Sequence, residues 1–459
     1  MSVAARLGAR TRQTLSAGAG TLLGNATGVL LPFLITIHYG SGRVTDGYFL
    51  ATASASFVVL LTSATESVSV IYFARLRARD GFVGRDEANA DLDPPLDPGL
   101  VAGQLLRRSA LCSALLLVPV YLATAFFIVP NGGFAELDER SILQLLLVLT
   151  PLPIAAAASS VLSASHYAHG RFALATSTTG LRSLAALLVV FGGRSHLPLA
   201  FVASALTVGE LVRFGLLLRY LPSARPRLRD IVTGSPLEGF WRTAVPSLLG
   251  MAIIGVNPLV DKAVAAGTGA ASITTLELAE KLFYVPTILF GGMIASVLSS
   301  EWATLHARTG SRREVGVSYW RAQRVVLGGA FALTALALAV VGLFGAAAGR
   351  LIGMDDGRQF AIVLAVYLTG LPAAFFVEVS GRLITTLRVN VILPWLAGSA
   401  LIVNIVLDLA GRALFGLAGI ALATTLVRIG SALTMAWWLR RTFAQEPAPP
   451  PRPAPEGLT

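Results

Sequence analysis

Apolar stretches of about twenty residues recur along the whole chain and are separated by short polar segments. An α-helix rises about 1.5 Å per residue, so a stretch of this length crosses a hydrocarbon layer of about 30 Å. The pattern therefore predicts an all-α polytopic membrane protein with about twelve transmembrane helices. The predicted spans cover residues 14–39, 45–74, 104–129, 141–166, 169–192, 197–220, 239–266, 272–303, 321–348, 358–385, 390–411 and 416–439.

Arginines are concentrated in every second connection between these spans. They are Arg6, Arg10, Arg12, Arg75, Arg77, Arg79, Arg219, Arg225, Arg227, Arg229, Arg308, Arg312, Arg313, Arg440 and Arg441. Basic connections of membrane proteins face the cytoplasm, so this alternation predicts that both termini are cytoplasmic. The net charge of +11 is then a consequence of topology, and no nucleic-acid partner is expected.

A faint internal repeat divides the spans into two sets of six. Gly28–Pro32 in the first span is echoed by Gly255–Pro258 in the seventh, and aligning Ala51 with Ala279 gives an offset of 228 residues. Because six is an even number, both copies have the same orientation about an axis along the membrane normal. We predict an N-terminal six-helix lobe over residues 1–230, a C-terminal six-helix lobe over 231–444 and a disordered, proline-rich cytoplasmic tail over 445–459.

Composition adds to the membrane assignment and argues against catalysis. Hydrophobic residues make up 54% of the chain and charged residues 13%. The one cysteine, Cys112, cannot form an internal disulfide, and no set of ligands surrounds the five histidines in the sequence. We therefore expect no catalytic residues, no metal site and no cofactor, so the protein is not expected to be an enzyme.

Charged side chains inside the apolar spans are the candidates for function, because charge at bilayer depth is costly and usually faces a cavity or a polar partner. Of the 36 basic residues only two are lysines, Lys262 and Lys281, and each directly follows an acid. Two ion pairs, Asp261 with Lys262 and Glu280 with Lys281, would be a purely structural explanation.

Two stretches resemble the MurJ/MviN family, the flippases of the peptidoglycan precursor lipid II. GSGRVTDGYFLA, Gly40–Ala51, resembles the junction of the family's first two helices. NPLVDKAVAAGTGAASITTLELAEKLFYVP, Asn257–Pro286, resembles its seventh and eighth helices, and is also similar to the related polysaccharide-repeat exporters. Both groups belong to the MOP superfamily of multidrug, oligosaccharidyl-lipid and polysaccharide exporters. The resemblance implies a two-lobed MOP flippase fold in the bacterial inner (cytoplasmic) membrane.

The resemblance also implies roles for single positions. Asp46 matches the aspartate of the family's TDxFF junction, Lys281 stands where the family has an arginine, and Glu280 takes the place of a neighbouring acid. The family's cavity-facing arginines in the first two helices have no counterpart here; Asn25 stands near one of their places and Val59 replaces another.

A polyprenyl diphosphate that carries a saccharide needs a hydrated cavity with cations for its phosphates. The expected substrate-binding residues are Lys281, Arg182, Arg428, Asn25 and Asn257. The expected gating or ion-coupling residues are Asp46, Glu66, Asp261, Lys262 and Glu280. Glu66 is the favoured site of proton coupling, because it has no charged neighbour in the sequence.

These features predict a transporter that flips a polyprenyl-diphosphate-linked saccharide to the outer leaflet by alternating access. The saccharide would be a lipid II-like peptidoglycan precursor or an exopolysaccharide repeat unit. A gradient of Na⁺ or H⁺, or the membrane potential, would drive transport, and cell-envelope synthesis proteins are candidate partners. Two alternatives stay open: a multidrug or cation antiporter of the same fold, with a cavity rich in acids, and a membrane scaffold for cell-envelope synthesis that has lost transport.

Overall fold

The computed structural model describes residues 26–82, 98–131, 139–169, 171–193, 197–222, 240–287, 292–387 and 392–444. Every regular element in these ranges is helical, which confirms the predicted all-α fold class. Asn25 and the predicted tail over 445–459 lie outside the described residues.

In the described ranges the first half of the chain contributes eight helices of six residues or more. They are α1 (Ala26–Tyr39), α2 (Arg43–Phe82), α3 (Pro98–Ala123), α4 (Glu139–Leu149), α5 (Pro151–Ala168), α6 (Phe172–Ser177), α7 (Leu181–Gly193) and α8 (Leu199–Arg219). A π-helical turn, Thr124–Ile128, continues α3.

The second half contributes eight more helices in the described ranges. They are α9 (Phe240–Ala266), α10 (Ser272–Pro286), α11 (Gly292–Thr309), α12 (Arg312–Leu351), α13 (Gly357–Thr369), α14 (Leu371–Thr386), α15 (Ile392–Phe415) and α16 (Leu417–Ala444).

Length and composition identify eight helical segments of the described chain as candidate membrane spans, or nine if α13 and α14, bent by 41°, form one span. This confirms a polytopic membrane fold, while the count of twelve stays a prediction. Helix α10 falls short because it has only 15 residues, and three of them, Glu277, Glu280 and Lys281, are charged. The charged residues that suggest a function therefore also lower the hydropathy by which a membrane span is recognised.

Helices of each half pack mainly on one another. In the first half α5 contacts α2, α3 and α8, and α7 packs along α8. In the second half α15 packs along α16 and α9, and α12 along α13 and α14. The predicted lobe limits at residues 230 and 444 stay predictions.

The two halves meet where α2 packs along α9 and α10. Close approach is possible at Gly255, since a Cβ atom there would collide with the Leu60 side chain. One hydrophobic cluster includes residues of both halves, among them Ala51 and Ala279, which are both fully buried. This contact places the charged residues of α9 and α10 beside the first half.

Candidate functional site

A network of charged side chains joins α9 to α10. Lys262 Nζ lies 2.5 Å from Glu277 Oε2, and Lys281 Nζ lies 3.2 Å from Glu277 Oε1. The side chains of Lys262 and Glu277 are 8% and 9% exposed, whereas that of Lys281 is 38% exposed. The ion pairs considered from the sequence, Asp261 with Lys262 and Glu280 with Lys281, are therefore wrong: one carboxylate, Glu277, binds both lysines.

Helical geometry explains this choice of partner. Glu277 precedes Lys281 by four residues, which places the two side chains on the same face of α10. Glu280 precedes Lys281 by one residue and so points to a different face. Glu280 is half-buried and lies in the field of both lysines and of Asp261. The Lys281 side chain, 38% exposed, is thus the most accessible of the three in this ion network.

Asp261 lies beside Lys262 in the sequence but contacts a separate set of polar groups. Its Oδ1 accepts a hydrogen bond from Asn404 Nδ2 at 2.8 Å, and its Oδ2 accepts one from Thr424 Oγ1 at 2.9 Å. Asn404 Nδ2 also donates to Asp408 Oδ2 at 2.8 Å. Asp261, Asn404 and Asp408 are all buried. These residues, together with Thr424, form what we call the carboxylate cluster, which joins α9, α15 and α16.

The carboxylate cluster brings two acids together in a site of low dielectric. Two such carboxylates repel each other, so protonation of one of them or a nearby cation stabilises the pair. Asp408 Oδ1 is buried and has no hydrogen-bond partner in the described structure. Carboxylate, amide and hydroxyl oxygens are ligands for hard cations. The cluster therefore has the chemistry to hold either a shared proton or a cation such as Na⁺.

Arg428 lies on α16, one helical turn beyond Thr424, and links that helix to α10. Its Nη2 donates to Tyr284 Oη at 2.8 Å, and its guanidinium carbon lies 4.2 Å from the ring centroid of Phe283. The hydrogen bond and the cation–π contact hold this charge close to α10. Its Nη1 is buried without a partner among the described residues.

Asp46 lies where the two halves of the chain touch. Its Oδ1 accepts hydrogen bonds from the Thr274 backbone N–H at 2.8 Å and from Thr274 Oγ1 at 2.7 Å. Arg43 Nη1 donates to the backbone carbonyl of Ala266 at 3.2 Å. We call these contacts the interlobe latch. Asp46 and Thr274 are 228 residues apart, which equals the offset of the predicted sequence repeat.

Asp46 supplies a helix cap that α10 lacks. Ala271 precedes α10 in a left-handed conformation, with φ at 63°, and its side chain cannot accept a hydrogen bond. The first backbone N–H groups of a helix have no partner within the helix. A carboxylate from the other half of the chain satisfies one of them.

Three other predicted residues lie apart from these clusters. Glu66 contacts Ser160 and lies in the field of Arg213, so its isolation in the sequence does not persist in the fold. Arg182 lies on α7, where no carboxylate of the described chain is within 4.0 Å of its guanidinium. Asn257, on α9, has a buried side-chain oxygen without a hydrogen-bond partner in the described ranges.

Sequence reasoning missed several members of these clusters, although signals for some were present. Asn404 and Asp408 are four residues apart in a largely apolar helix, a spacing that places them on one face. Glu277 stands at the same spacing from Lys281. Neither spacing indicates which other helix the polar face contacts.

Comparisons with known proteins identify the fold. No model of a protein family matches the chain. Over 438 residues it is 23% identical to a probable lipid II flippase, MurJ, of Thermotoga maritima, an alignment that covers 94% of this chain and 86% of that protein.

Two solved structures are similar over nearly their whole length. One is lipid II flippase MurJ in an inward closed conformation, with a TM-score of 0.71, 16% identity and coverage of 95% of this chain and 89% of that one. The other is an inward-facing multidrug resistance MATE family transporter of the MOP superfamily, with a TM-score of 0.72, 14% identity and coverage of 92% and 94%. The chain therefore has the polytopic fold of MOP-superfamily transporters, as its resemblance to the MurJ/MviN family implied.

Proposed function

We propose that this chain flips a polyprenyl-diphosphate-linked saccharide across the bacterial inner membrane by alternating access. The observation that carries the proposal is the partly exposed side chain of Lys281 at the end of a buried ion pair, at the position where the MurJ/MviN family has an arginine. Sequence similarity to a MurJ protein over 94% of the chain supports a lipid-linked substrate. A lipid II-like precursor and an exopolysaccharide repeat unit both fit this chemistry.

The network makes Lys281 suitable for reversible contact with a phosphate. Lys281 shares the Glu277 carboxylate with Lys262, so a phosphate oxygen can replace Glu277 as its partner while the buried Lys262–Glu277 pair stays intact. Lysine acts toward phosphate as a point charge and does not require a fixed orientation. Arg428 and Arg182 would supply further cations from α16 and α7.

Alternating access requires the interlobe latch to open and close. The latch joins the beginning of α2 to the end of α9 and the beginning of α10. The arginine-rich connections predict that this end of the bundle faces outward. In the proposed cycle, release of a saccharide lipid to the outside follows the loss of these contacts.

We further propose that binding of Na⁺ or H⁺ at the carboxylate cluster supplies the energy. Asp261 and Lys262 are consecutive residues of α9, so the cluster and the lysine network share one helical turn. A bound cation would draw α9, α15 and α16 together and thereby fix the position of Lys262 relative to Glu277. Acidic residues within transmembrane helices serve such coupling in other transporters.

A multidrug or cation antiporter is the second candidate function. Structural similarity to a MATE transporter and the buried acid pair favour it. An antiporter of organic cations would keep its activity, or gain activity, after Lys281 is neutralised, because the lysine repels such a substrate. A lipid diphosphate transporter would lose activity.

The experiment is complementation of cells depleted of their native lipid-linked precursor flippase. We expect Lys281→Ala to lower complementation by about tenfold or more, since a charge-assisted hydrogen bond contributes about 1.5–3 kcal/mol. Arg382→Ala is the matched control, because Arg382 pairs with Glu378 at the same four-residue spacing but is 54% exposed. Full complementation by Lys281→Ala, or an equal loss with Arg382→Ala, would contradict the role given to Lys281.

A further inference from the structure

The bend of 41° between α13 and α14 leaves one backbone carbonyl without its usual helical donor. In a continuous α-helix the N–H of Gly370 would donate to the carbonyl of Val366, four residues earlier. At the bend it donates to the carbonyl of Tyr367 instead, at 2.9 Å. Pro372 follows in the first turn of α14 and has no N–H, so the helix cannot continue straight through this point.

Two threonine hydroxyls take the place of that N–H group. Thr369 Oγ1, in the last turn of α13, donates to the Val366 carbonyl at 2.6 Å, and Thr425 Oγ1 of α16 donates to it at 3.2 Å. A Cβ atom at Gly370 would lie only 3.3 Å from the Thr425 side chain, so glycine at this position lets α16 approach the bend closely. Thr425 therefore links the bend to another helix, whereas Thr369 binds the same carbonyl from within α13.

Thr425 directly follows a member of the carboxylate cluster. Consecutive residues of an α-helix point about 100° apart, so Thr424 contacts Asp261 of α9 while Thr425 contacts the bend. A proton or a cation that reduces the repulsion between Asp261 and Asp408 would change how closely α9, α15 and α16 pack at the cluster. A movement of α16 at Thr424 would also move the hydroxyl that donates to Val366.

The bend also packs on α10. Tyr367, three residues before Gly370, is buried, and its ring centroid lies 6.1 Å from that of Phe283. Phe283 is fully buried in turn and lies two residues beyond Lys281 on α10. The bend thus lies between α16, which contributes to the carboxylate cluster, and the helix that bears the lysine proposed to bind phosphate.

We infer that Thr425 is a positioning residue: through its bond to the Val366 carbonyl, occupancy of the carboxylate cluster alters the bend and, through Tyr367 and Phe283, the position of α10. The inference rests on the proposed function, because it gives the route by which a cation at the cluster would act on Lys281. Thr425 contacts neither the cluster acids nor the substrate in this scheme. Removal of its hydroxyl should therefore leave the cluster intact and disconnect it from the bend.

The experiment measures the distance between spin labels at two exposed positions, Thr385 near the end of α14 and Trp395 near the beginning of α15, in a Cys112→Ser background in nanodiscs. Asp408→Asn permanently neutralises one acid of the cluster, as a bound proton would, so the test requires neither transport nor a particular cation. A change of about 10° in the bend moves the far end of α14, a helix about 24 Å long, by about 4 Å. We expect Asp408→Asn to shift the mean distance by about that amount.

Threonine variants separate the link to α16 from the local bond. Thr425→Val is expected to abolish the shift caused by Asp408→Asn, and Thr425→Ser, which keeps the hydroxyl, is expected to retain it. Thr369→Val is the matched control, because it removes the other donor to the same carbonyl without changing α16, and it should also retain the shift. An unchanged distance after Asp408→Asn, a shift that persists in Thr425→Val, or loss of the shift in Thr425→Ser or Thr369→Val would overturn the inference.

Failure of this inference can be distinguished from failure of the proposed function. The spin labels report the position of α14 without any lipid substrate, whereas complementation by Lys281→Ala reports transport. Loss of complementation in Lys281→Ala together with an unchanged label distance after Asp408→Asn would keep the flippase proposal and overturn the role of Thr425. Full complementation by Lys281→Ala would contradict the role of the lysine, and the label distances would still decide whether the cluster acts on the bend.

Discussion

The single carboxylate of Glu277 is the ion-pair partner of two lysines, Lys262 and Lys281. Each of its oxygens lies close to a different ammonium, and only the Lys281 side is accessible. A buried ammonium without a partner is far more costly than an exposed one. Glu277 therefore stabilises the fold by compensating the buried charge of Lys262. In the proposed transport it is the partner that Lys281 exchanges for a phosphate.

We expect Glu277→Gln to lower the free energy of unfolding by about 3–5 kcal/mol, because removal of one partner leaves the buried Lys262 charge uncompensated. Thermal unfolding in detergent measures the effect. Glu378→Gln is the control: its pair with Arg382 is exposed, so a change within about 0.5 kcal/mol is expected. Similar unfolding temperatures for the two variants would show that Glu277 does not compensate a buried charge.

The N-terminus of α10 has no capping side chain of its own, and the residue that caps it belongs to α2. Its first turn receives a carboxylate from Asp46, a residue of the other half of the chain. Any movement that separates the halves at this end also uncaps the helix that bears Glu277 and Lys281. The N-terminal cap of α10 is thereby linked to the separation of the two halves of the chain.

Removal of the Asp46 carboxylate is expected to shift the equilibrium toward molecules in which the interlobe latch is open. Asp46→Ala is expected to cost the closed arrangement about 1 kcal/mol, which multiplies the ratio of open to closed molecules by about five. Spin labels at the exposed positions Val44 and Arg358, in a Cys112→Ser background, report the distance between the halves. We expect a larger population at long distances in Asp46→Ala.

Ser41→Ala is the control for this experiment. Ser41 Oγ accepts a hydrogen bond from the Asp355 backbone N–H at 3.0 Å, an exposed contact between the same two halves. Exposed hydrogen bonds contribute little, because water replaces them. Identical distance distributions in Asp46→Ala and in the unaltered protein would exclude the latch as a determinant of the closed state.

The helices could be predicted from the sequence because each depends on a local apolar pattern: α12 includes the predicted span 321–348, and α16 covers all but the first residue of the span 416–439. The bend within the predicted span 358–385 was not predicted: this span is divided into α13 and α14, which are bent by 41°. The local sequence of a helix does not indicate which other helices it contacts. Asp261 and Asn404 are 143 residues apart, and only the packing of α9 on α15 brings them together.

At the scale of the whole molecule, three polar features converge on α9 and α10. The interlobe latch contacts the end of α9 and the beginning of α10, the lysine network joins the two helices, and the carboxylate cluster joins α9 to α15 and α16. Each contact belongs to a different pair of elements. Helix α9 is the element that all three features share.

Binding of Na⁺ at the carboxylate cluster can be tested by its effect on the stability of the protein. If it binds Na⁺, replacing K⁺ by Na⁺ at a concentration about a hundred times the Kd should stabilise the protein by about 2.7 kcal/mol, because only the folded state has the site. Asp261→Asn and Asp408→Asn should each abolish this increment, since each removes a charged ligand from a buried pair. Thermal unfolding in matched Na⁺ and K⁺ buffers measures it, and Asp355→Asn, at an exposed turn, should keep the full increment. Equal stability of the unaltered protein in both buffers would contradict selective binding of Na⁺ at the cluster and would favour a shared proton.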